Sequence, residues 1–371
     1  MKILKYLLIF SAVALTLGCS GNDPDPEPDP GPEPPKPSGD VELSLDRSVI
    51  HANGEDAAEF IVIVNGEQVT EGVTIYNAQT NEPLSGLTFT TTETGTYSFW
   101  ASYEASNSAR VTLTAIAFPV PELPADPNPD GRAFVRKVLL TQFTGTGCGW
   151  FPGMITIMGQ MLDEEDYASK VELAAAHNFN SDDPCYLSQR LDQAMGVSSF
   201  PYVVADMYMG FNNYNSLIGL KRVVDDSYAR SEALAGICAK AELNDNTLVV
   251  HVGVKAGETR DFRVGAWLLE DGIYGKQSNY TGLQGDFDTH NNVIRMADSK
   301  VSSIDYSGYA LGQIEAGKTG EHVFVIEMDE KWVKSACRLL LFVTTDETEQ
   351  KLVVNNVVSC PLDGEVEYAY E

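Results

Sequence analysis

The sequence predicts a multidomain α+β protein with three folded bodies: a β-sandwich, a central α/β layer structure and a second β-sandwich. The chain has 371 residues, enough for two or three domains at about 100–200 residues each. Its composition, 43% hydrophobic and 21% charged, is that of a globular protein. Strand-like alternation dominates both ends of the chain, whereas the middle alternates between strand and helix periodicity.

The charge of the chain excludes one class of partner. It carries 53 acidic residues against 25 basic ones, for a net charge of −28. Such a charge repels phosphate backbones, so nucleic acid is not expected as a partner.

Residues 1–18 are predicted to be a lipoprotein signal peptide. A basic start is followed by the apolar run Tyr6–Leu17, which is shorter than the about 20 residues a membrane-spanning helix needs. The run ends in Thr16-Leu17-Gly18-Cys19, which resembles a bacterial lipobox. This resemblance implies that Cys19 receives the lipid and that the mature chain is anchored to a membrane.

Residues 19–40 are predicted to be the lipidated cysteine and an acidic, proline-rich tether. Eight of the 18 prolines lie in residues 21–40. Alternating Pro and acid favours polyproline conformation at about 3.1 Å per residue, so the tether spans roughly 50–60 Å. Cys19 followed by Ser20 and early acids is similar to the surface-export signal of Bacteroidetes lipoproteins. We therefore expect an outer-membrane protein that faces the cell exterior.

Residues 41–118 are predicted to form an immunoglobulin-like β-sandwich. Short alternating runs such as Phe60–Val64, Tyr97–Ala101 and Val111–Ile116 are separated by turn signals, which suggests about seven strands. The segment lacks the Cys…Trp…Cys core of antibody domains. Residues 119–132, with five prolines, are predicted to be a linker.

Residues 133–235 alternate between strand and helix, which predicts an α/β layer structure. The predicted strands are Val135–Phe143, Val171–His177 and Tyr202–Met207, and the predicted helices are Pro152–Leu162, Leu187–Met195 and Leu217–Ala233.

Residues 236–371 are predicted to form a C-terminal β-sandwich with a long loop over about residues 272–300. Helix periodicity is absent from residue 235 onward. The predicted strands are Ala239–Leu243, Thr247–Val254, Phe262–Glu270, Glu321–Glu327, Arg338–Thr345 and Lys351–Cys360.

The turn after the first strand of the central body carries Cys148. A cysteine between a strand and a helix with Pro152 in its first turn resembles the thioredoxin arrangement, and a helix N-terminus lowers a thiol pKa. The resemblance implies a thioredoxin-like domain, a nucleophilic Cys148 and a cis proline at Pro201, after Phe200. The second cysteine of the thioredoxin motif is replaced by Phe151, so dithiol exchange within the motif is impossible. Monothiol chemistry and a disulfide between Cys148 and Cys185 both remain open.

A second disulfide is predicted from hairpin register. Pairing Asp346 with Lys351 across a four-residue turn places Cys337 opposite Cys360, and in an exported protein such a pair oxidises if it occupies a non-hydrogen-bonded site. Cys238 has no evident partner in the sequence, and its ordinary role is that of a small buried hydrophobic residue.

Taken whole, residues 133–371 resemble the Bacteroidetes outer-membrane lipoprotein family named after a twenty-eight-kilodalton outer membrane protein. The segments that carry the resemblance are Val138–Pro152, Ala175–His177, Phe200-Pro201, Glu270–Ile273 and His290–Arg295. Family members are regarded as surface or outer-membrane proteins, often adhesin-like, without an established enzyme activity. The resemblance implies a non-enzymatic role in binding, adhesion or assembly, with a protein or glycan ligand. The alternative is an envelope thiol-disulfide oxidoreductase that uses Cys148 as its nucleophile.

Four further patterns bear on whether the chain binds a ligand. Residues 312–319 satisfy the phosphate-loop pattern, but a β-branched run follows where a helix is required, so no nucleotide is expected. Residues 126–131 mimic the opening of a calcium loop, with Lys137 in place of the bidentate Glu. The five histidines are dispersed, so neither a metal nor another cofactor is expected, although His290 lies beside Asp288 in the long loop. The loop aromatics Tyr208, Phe211, Tyr214 and Tyr280 suggest capture of a glycan or peptide.

Overall fold

The computed structural model describes residues 41–300, 302, 305–348 and 351–371. The predicted signal peptide, the predicted lipidation site Cys19 and the predicted tether therefore lie outside the described residues. None of the helices within the described ranges is long and apolar enough to cross a membrane.

Residues 41–116 form two small sheets that share one hydrophobic core. Their β-branched and aromatic residues alternate between buried and exposed positions, as in a strand with one face inward. One sheet has the order β1-β3-β4 with β6 on β3, and the other has β2-β9-β7-β5 with β8 on β7. The strands are β1 Val41–Leu45, β2 Val49–His51, β3 Ala58–Val64, β4 Glu67–Gln68, β5 Val73–Asn77, β6 Thr88–Phe89, β7 Gly95–Tyr103, β8 Ser106–Asn107 and β9 Val111–Ile116.

The rest of the chain contains four α-helices among the described residues, and strands otherwise predominate. The helices are α1 Phe151–Leu162, α2 Glu165–Lys170, α3 Leu191–Ala194 and α4 Leu217–Tyr228, with a short 3-10 helix at Lys334–Ala336. The strands are β10 Val138–Thr144, β11 Val171–His177, β12 Tyr202–Ala205, β13 Met209–Phe211, β14 Ala235–Asn244, β15 Thr247–Ala256, β16 Arg260–Glu270, β17 Ile273–Tyr274, β18 Thr289–His290, β19 Val293–Asp298, β20 Tyr309–Ile314, β21 Thr319–Glu327, β22 Cys337–Thr348, β23 Lys351–Pro361 and β24 Gly364–Val366.

One large sheet joins the middle of the chain to its C-terminal part. Within the described ranges it has nine strands, in the order β13-β12-β10-β11-β19-β16-β22-β23, with β20 on β16. Strands β10 and β11 run parallel, and β11 is joined to β19 by the parallel pairing of Ala175 with Val293. The amide of Ala175 donates to the carbonyl of Asn292 at 2.7 Å, so the junction is hydrogen-bonded.

The predicted fold class is therefore wrong. We expected a multidomain α+β protein with a central thioredoxin-like α/β domain and a separate C-terminal β-sandwich. The described structure is β-rich, with 46% strand and 11% helix. The physical reason is that several strands of the predicted C-terminal body continue the sheet of the predicted α/β layer, so the two expected domains share one sheet.

The hydrophobic core crosses the same junction. One buried cluster combines Leu139 and Phe143 of β10 with Trp267 of β16 and Phe342 of β22, and Trp267 is fully buried. The rings of Trp267 and Phe342 meet edge to face at 5.1 Å between centroids. Burial of side chains of this size stabilises the fold by about 1.5–3 kcal/mol each, so the two halves of the sheet are held together by packing as well as pairing.

A second sheet, β21-β15-β14-β24, covers the other face of β16 and β22 through a separate buried cluster. Its outer side meets the N-terminal sheets where Val249 packs against Val49 and Ile116. The segment after β9 follows this sheet and is held by Lys255 of β15, whose side chain is 2% exposed. The ammonium donates to Asp126 Oδ2 at 2.7 Å and to the phenol oxygen of Tyr370 at 2.9 Å.

That contact explains the calcium-loop pattern at residues 126–131. Lys255 Nζ also donates to the carbonyls of Asn128 at 3.0 Å and Pro129 at 2.8 Å. A lysine ammonium thus occupies the centre of this acidic segment. Burial by itself lowers the pKa of Lys255, but its hydrogen bonds to Asp126 and Tyr370 outweigh burial and raise it.

The phosphate-loop pattern at residues 312–319 lies in a turn between strands. It begins inside β20 and ends at Thr319, the first residue of β21, and no helix starts there. The expectation that a strand follows this pattern, where a phosphate loop requires a helix, is confirmed.

The predicted register of the C-terminal hairpin is wrong. Cys360 lies opposite Leu339, and Cys337 lies opposite Glu270 on β16. The ladder shifts register between Val343 and Thr344 and again before Thr348, so extrapolation from the turn fails. Residues 349 and 350 of the predicted turn lie outside the described residues.

Candidate functional site

The turn that carries Cys148 lies at one edge of the large sheet. Strands β10 and β11 are parallel, with Thr144 opposite His177, so the loops that follow both strands start at the same edge. Cys148 is 8% exposed, and helix α1 begins three residues later at Phe151, which is fully buried. Phe151 thus fills the position of the missing second cysteine as part of the core.

The loop between β17 and β18 holds this turn in place, a contact that the sequence did not predict. The side-chain amide of Gln277 donates to the carbonyls of Thr146 at 3.2 Å and Cys148 at 2.9 Å. The amide of Ser278 donates to the Thr146 carbonyl at 2.8 Å, and the amide of Tyr280 donates to the Gly149 carbonyl at 2.7 Å. The turn therefore has a fixed backbone before any ligand arrives.

Three aromatic rings, which we call the aromatic patch, surround the outer side of the turn: Trp150, Tyr214 and Tyr280. Trp150 is 42% exposed and Tyr280 is 68% exposed. Trp150 stacks on Tyr214 at 5.6 Å and meets Tyr280 edge to face at 5.9 Å between centroids. A Cβ on Gly149 would lie 2.4 Å from the Tyr280 ring, so this close approach requires glycine.

Asp183 organises the inner side of the turn. Its Oδ2 accepts from the amide of Thr146 at 2.7 Å and lies 2.8 Å from His177 Nδ1, and its Oδ1 accepts from the amide of Cys185 at 2.8 Å. Burial alone raises the pKa of Asp183, but the contact with His177 and the two amide hydrogen bonds outweigh it and lower the pKa to about 2. One ionised carboxylate thus ties together two loops and the end of β11.

Two histidines and a cysteine meet beneath this carboxylate. The side chains of His177, Cys185 and His290 are 1%, 0% and 6% exposed, and a ligand atom of each lies within 4.8 Å of the others. Burial lowers the pKa of His177, and Asp183 offsets this only in part. Burial also raises the pKa of the Cys185 thiol to about 12, so this cysteine is a neutral thiol at physiological pH.

The Phe200–Pro201 peptide bond is cis, as predicted. The ring of Phe200 contacts Phe179 at 5.4 Å and Phe151 at 6.5 Å between centroids. The residue before the cis proline thus packs against Phe151, the first residue of α1.

The cysteines that the structure describes are unbonded, so neither predicted disulfide is formed in it. Burial raises the pKa of Cys337 and of Cys360 to about 11, which makes both thiols poor nucleophiles at neutral pH. Cys148 and Cys185 are brought to the same edge of the sheet, while Cys337 and Cys360 lie in β22 and β23. Chemically, the edge offers exposed aromatic surface and a buried group of nitrogen and sulfur ligands.

Sequence reasoning missed Asp183, Gln277 and the grouping of His177 with His290. The motifs Ala175–His177 and His290–Arg295 both carried the family resemblance; the first ends strand β11, and the second runs from the end of β18 into β19. Their histidines come together only because β11 pairs with β19, a contact that spacing along the chain does not reveal.

Comparison with known proteins finds a family match over the later part of the chain, beginning after the Cys148 turn and Cys185. Residues 188–364 match the family described as "Outer membrane protein Omp28". Over these residues the chain is similar to the Omp28 family. The resemblance found in the sequence is thereby confirmed, and the family description agrees with the predicted outer-membrane location.

Solved structures show how far the fold is shared. HBP35 of Porphyromonas gingivalis is 18% identical with a TM-score of 0.51, over 62% of this chain and 76% of that one. A protein from Agrobacterium tumefaciens is 9% identical with a TM-score of 0.40, over 62% of this chain and 96% of that one. The first likeness shows a common fold, and the second is too weak to carry an argument. No curated protein matches the chain in sequence.

Proposed function

We propose that this protein is a lipid-anchored, surface-facing and non-enzymatic binding protein, and that the aromatic patch contacts its ligand, a protein or a glycan. The lipobox at Cys19 and the proline-rich tether support the anchor and the stand-off from the membrane. The acidic composition suits a soluble body on a cell surface.

The aromatic patch is the observation that carries the binding role. Trp150 and Tyr280 expose large rings that pack against each other instead of against the core. Trp and Tyr supply most of the binding energy at many interfaces, because they bury large areas and lose little side-chain entropy. Here the Gly149–Tyr280 and Gln277–Cys148 hydrogen bonds already fix the backbone beneath the rings, which lowers the cost of ordering on binding.

The chemistry of the cysteines supports the non-enzymatic part of the proposal. Cys148 is nearly buried and unbonded, and the position of a resolving cysteine is occupied by the buried Phe151. The Cys185 thiol is fully buried, with a raised pKa. A dithiol exchange cycle needs a second accessible thiolate, and this edge does not supply one among the described residues.

Binding is tested with the double variant Trp150→Ala/Tyr280→Ala. The full-length protein is screened on a glycan array and, separately, by cross-linking to outer-membrane proteins. We expect a ligand in one of the two arms, bound at least 10-fold more weakly by the double variant. Tyr274→Ala is the matched control, since Tyr274 is 71% exposed and has no ring contact in the described structure.

The outcome that refutes the proposal is an unchanged affinity in the double variant, or no specific ligand in either arm. The anchor is tested separately with Cys19→Ser, which is expected to abolish metabolic labelling by a radioactive fatty acid and to release the protein from membranes. Surface exposure predicts that a protease added to intact cells degrades the wild-type protein. Protection in intact but not in lysed cells would contradict an outward-facing body.

A further inference from the structure

The buried group of His177, Cys185 and His290 has the composition of a metal site. Each residue offers a ligand atom within 4.8 Å of the other two, and none is more than 6% exposed. Two imidazoles and a thiolate form a ligand set that suits Zn²⁺, which prefers nitrogen and sulfur donors. Ligand atoms around tetrahedral Zn²⁺ lie about 3.5 Å apart, so the three side chains need to close by roughly an ångström.

In each imidazole, one ring nitrogen forms a hydrogen bond to an oxygen. This bond fixes the ring and leaves the other ring nitrogen turned away from that oxygen. Nδ1 of His177 lies 2.8 Å from a carboxylate oxygen of Asp183, and Nε2 of His290 lies 2.8 Å from the carbonyl oxygen of Gly275. Each oxygen can only accept, so these two nitrogens carry the proton. His177 Nε2 and His290 Nδ1 are then left as bare lone pairs, the form in which imidazole binds a metal.

This arrangement matches the outer shell of known metal sites. A metal-binding histidine usually donates its other ring nitrogen to a carboxylate or a backbone carbonyl, and both versions occur here. Asp183 also accepts from the amide of Cys185, so one carboxylate orients two of the three ligands. The loop of the third ligand is fixed as well, because Gly275 donates its amide to the carbonyl of Asp288 at 2.8 Å.

A cavity lies against the two histidines. It has a volume of about 170 Å³, and its walls include His177, His290, Gln142 and Asn292. Gln142 is 6% exposed, and its side-chain amide nitrogen has no hydrogen-bond partner within the described ranges. An unpaired buried donor costs about 1–3 kcal/mol, so its position in this wall points to a bound acceptor such as a water molecule or a small ligand.

We propose that His177, Cys185 and His290 bind one Zn²⁺ ion, with the fourth position open to the cavity. On binding, the thiol of Cys185 gives its proton to solvent, and the thiolate sulfur forms a bond to zinc. No redox change is involved, since Zn²⁺ has no accessible second oxidation state. The site goes beyond the proposed binding function and does not depend on it, because the aromatic patch lies on the outer side of the turn.

Zinc binding is measured on the full-length protein, purified in detergent and stripped with a chelator. Titration with Zn²⁺ against a chromogenic competitor is expected to give one tight equivalent per chain, with release of one proton, and a higher melting temperature. Cys185→Ala is expected to weaken binding at least 100-fold. Asp183→Asn, which changes only a positioning residue, is expected to weaken it 10–100-fold.

Cys238→Ala is the matched control, because Cys238 is a buried, unbonded cysteine in β14, away from this group. It should bind zinc like the wild type. Co²⁺ provides a test that needs no variant, since a thiolate ligand adds a sulfur-to-cobalt charge-transfer band to the spectrum. Failure to bind one equivalent below micromolar concentration, equal binding by Cys185→Ala, or absence of the thiolate band would each overturn the proposal.

Discussion

Replacement of Lys255 by Met tests whether the segment after β9 is held by the buried ammonium. Methionine keeps the length of the side chain and removes four interactions. These are the hydrogen bonds to Asp126 at 2.7 Å, to the carbonyls of Asn128 and Pro129, and to the phenol of Tyr370. Lys255 is only 2% exposed, so water does not replace the lost donor.

The size of the effect follows from which acceptors stay buried. Removal of one partner of a buried ion pair costs about 3–5 kcal/mol, because the other charge is left without compensation. The carboxylate of Asp126 is 24% exposed and regains part of its hydration, which places the expected loss near the lower end, at about 3 kcal/mol. For a chain of this size that corresponds to a decrease of melting temperature by roughly 4 °C.

The assay is urea unfolding followed by tryptophan fluorescence, with the shift of the midpoint as the readout. Lys240→Met is the matched control, since Lys240 pairs with Glu365 at 2.9 Å on the neighbouring strand but is 30% exposed. Its midpoint should stay close to that of the wild type. If Lys255→Met costs less than about 1 kcal/mol, or no more than the control, the buried ammonium does not hold the segment.

Three other predictions follow from the edge of the sheet. The pKa of Asp183 is lower in the folded state than in the unfolded chain, so its stabilising contribution is present above about pH 4 and is lost as the pH falls towards 2. The wild type should therefore lose about 2 kcal/mol more than Asp183→Asn over this interval in unfolding titrations, and equal losses would contradict the assigned contacts. The added carbon of Gly149→Ala meets the ring of Tyr280, so this variant should lower the free energy of unfolding by about 1–3 kcal/mol. In the control Gly159→Ala the added carbon meets nothing within 4 Å, so stability should not fall. Similar unfolding midpoints for the two variants would argue against the close approach of Gly149 to Tyr280. The wild type should show no insulin reduction above background, so that Cys148→Ser changes nothing, and turnover lost in that variant would refute the non-enzymatic proposal.

Local pattern was enough to predict many of the elements. The strand Val171–His177 and the start of helix α4 at Leu217 were predicted as observed, because their hydrophobic periodicity is strong and self-contained. Strand β19, Val293–Asp298, was missed because it directly follows a loop rich in Gly, Asn and Asp. Its absence from the prediction removed the link between β11 and β16, and with that link the correct fold class.

The residues of the candidate site also fall into those that local sequence predicts and those that it does not. The Cys148 turn and the cis Phe200–Pro201 bond were found from a motif whose residues are neighbours in sequence. The metal ligands could not be found by spacing, since His290 lies 113 residues after His177 and reaches it through strand pairing. The hairpin register failed for a related reason, because bulges within β22 and β23 are decided by packing on both faces of the sheet.

The pairing of Ala175 with Val293 has a consequence for how the protein is made. Strand β11 has no partner on its β19 side until a segment 118 residues later has been synthesised and exported. Contacts of such high sequence separation slow folding, because a long stretch of chain must be ordered before they form. A fragment ending near residue 235 would present β11 as an open edge, a template for association with other chains. The large sheet therefore does not fold strand by strand in the order in which the chain is translocated. The chain reaches its native state only after its last strands have been exported.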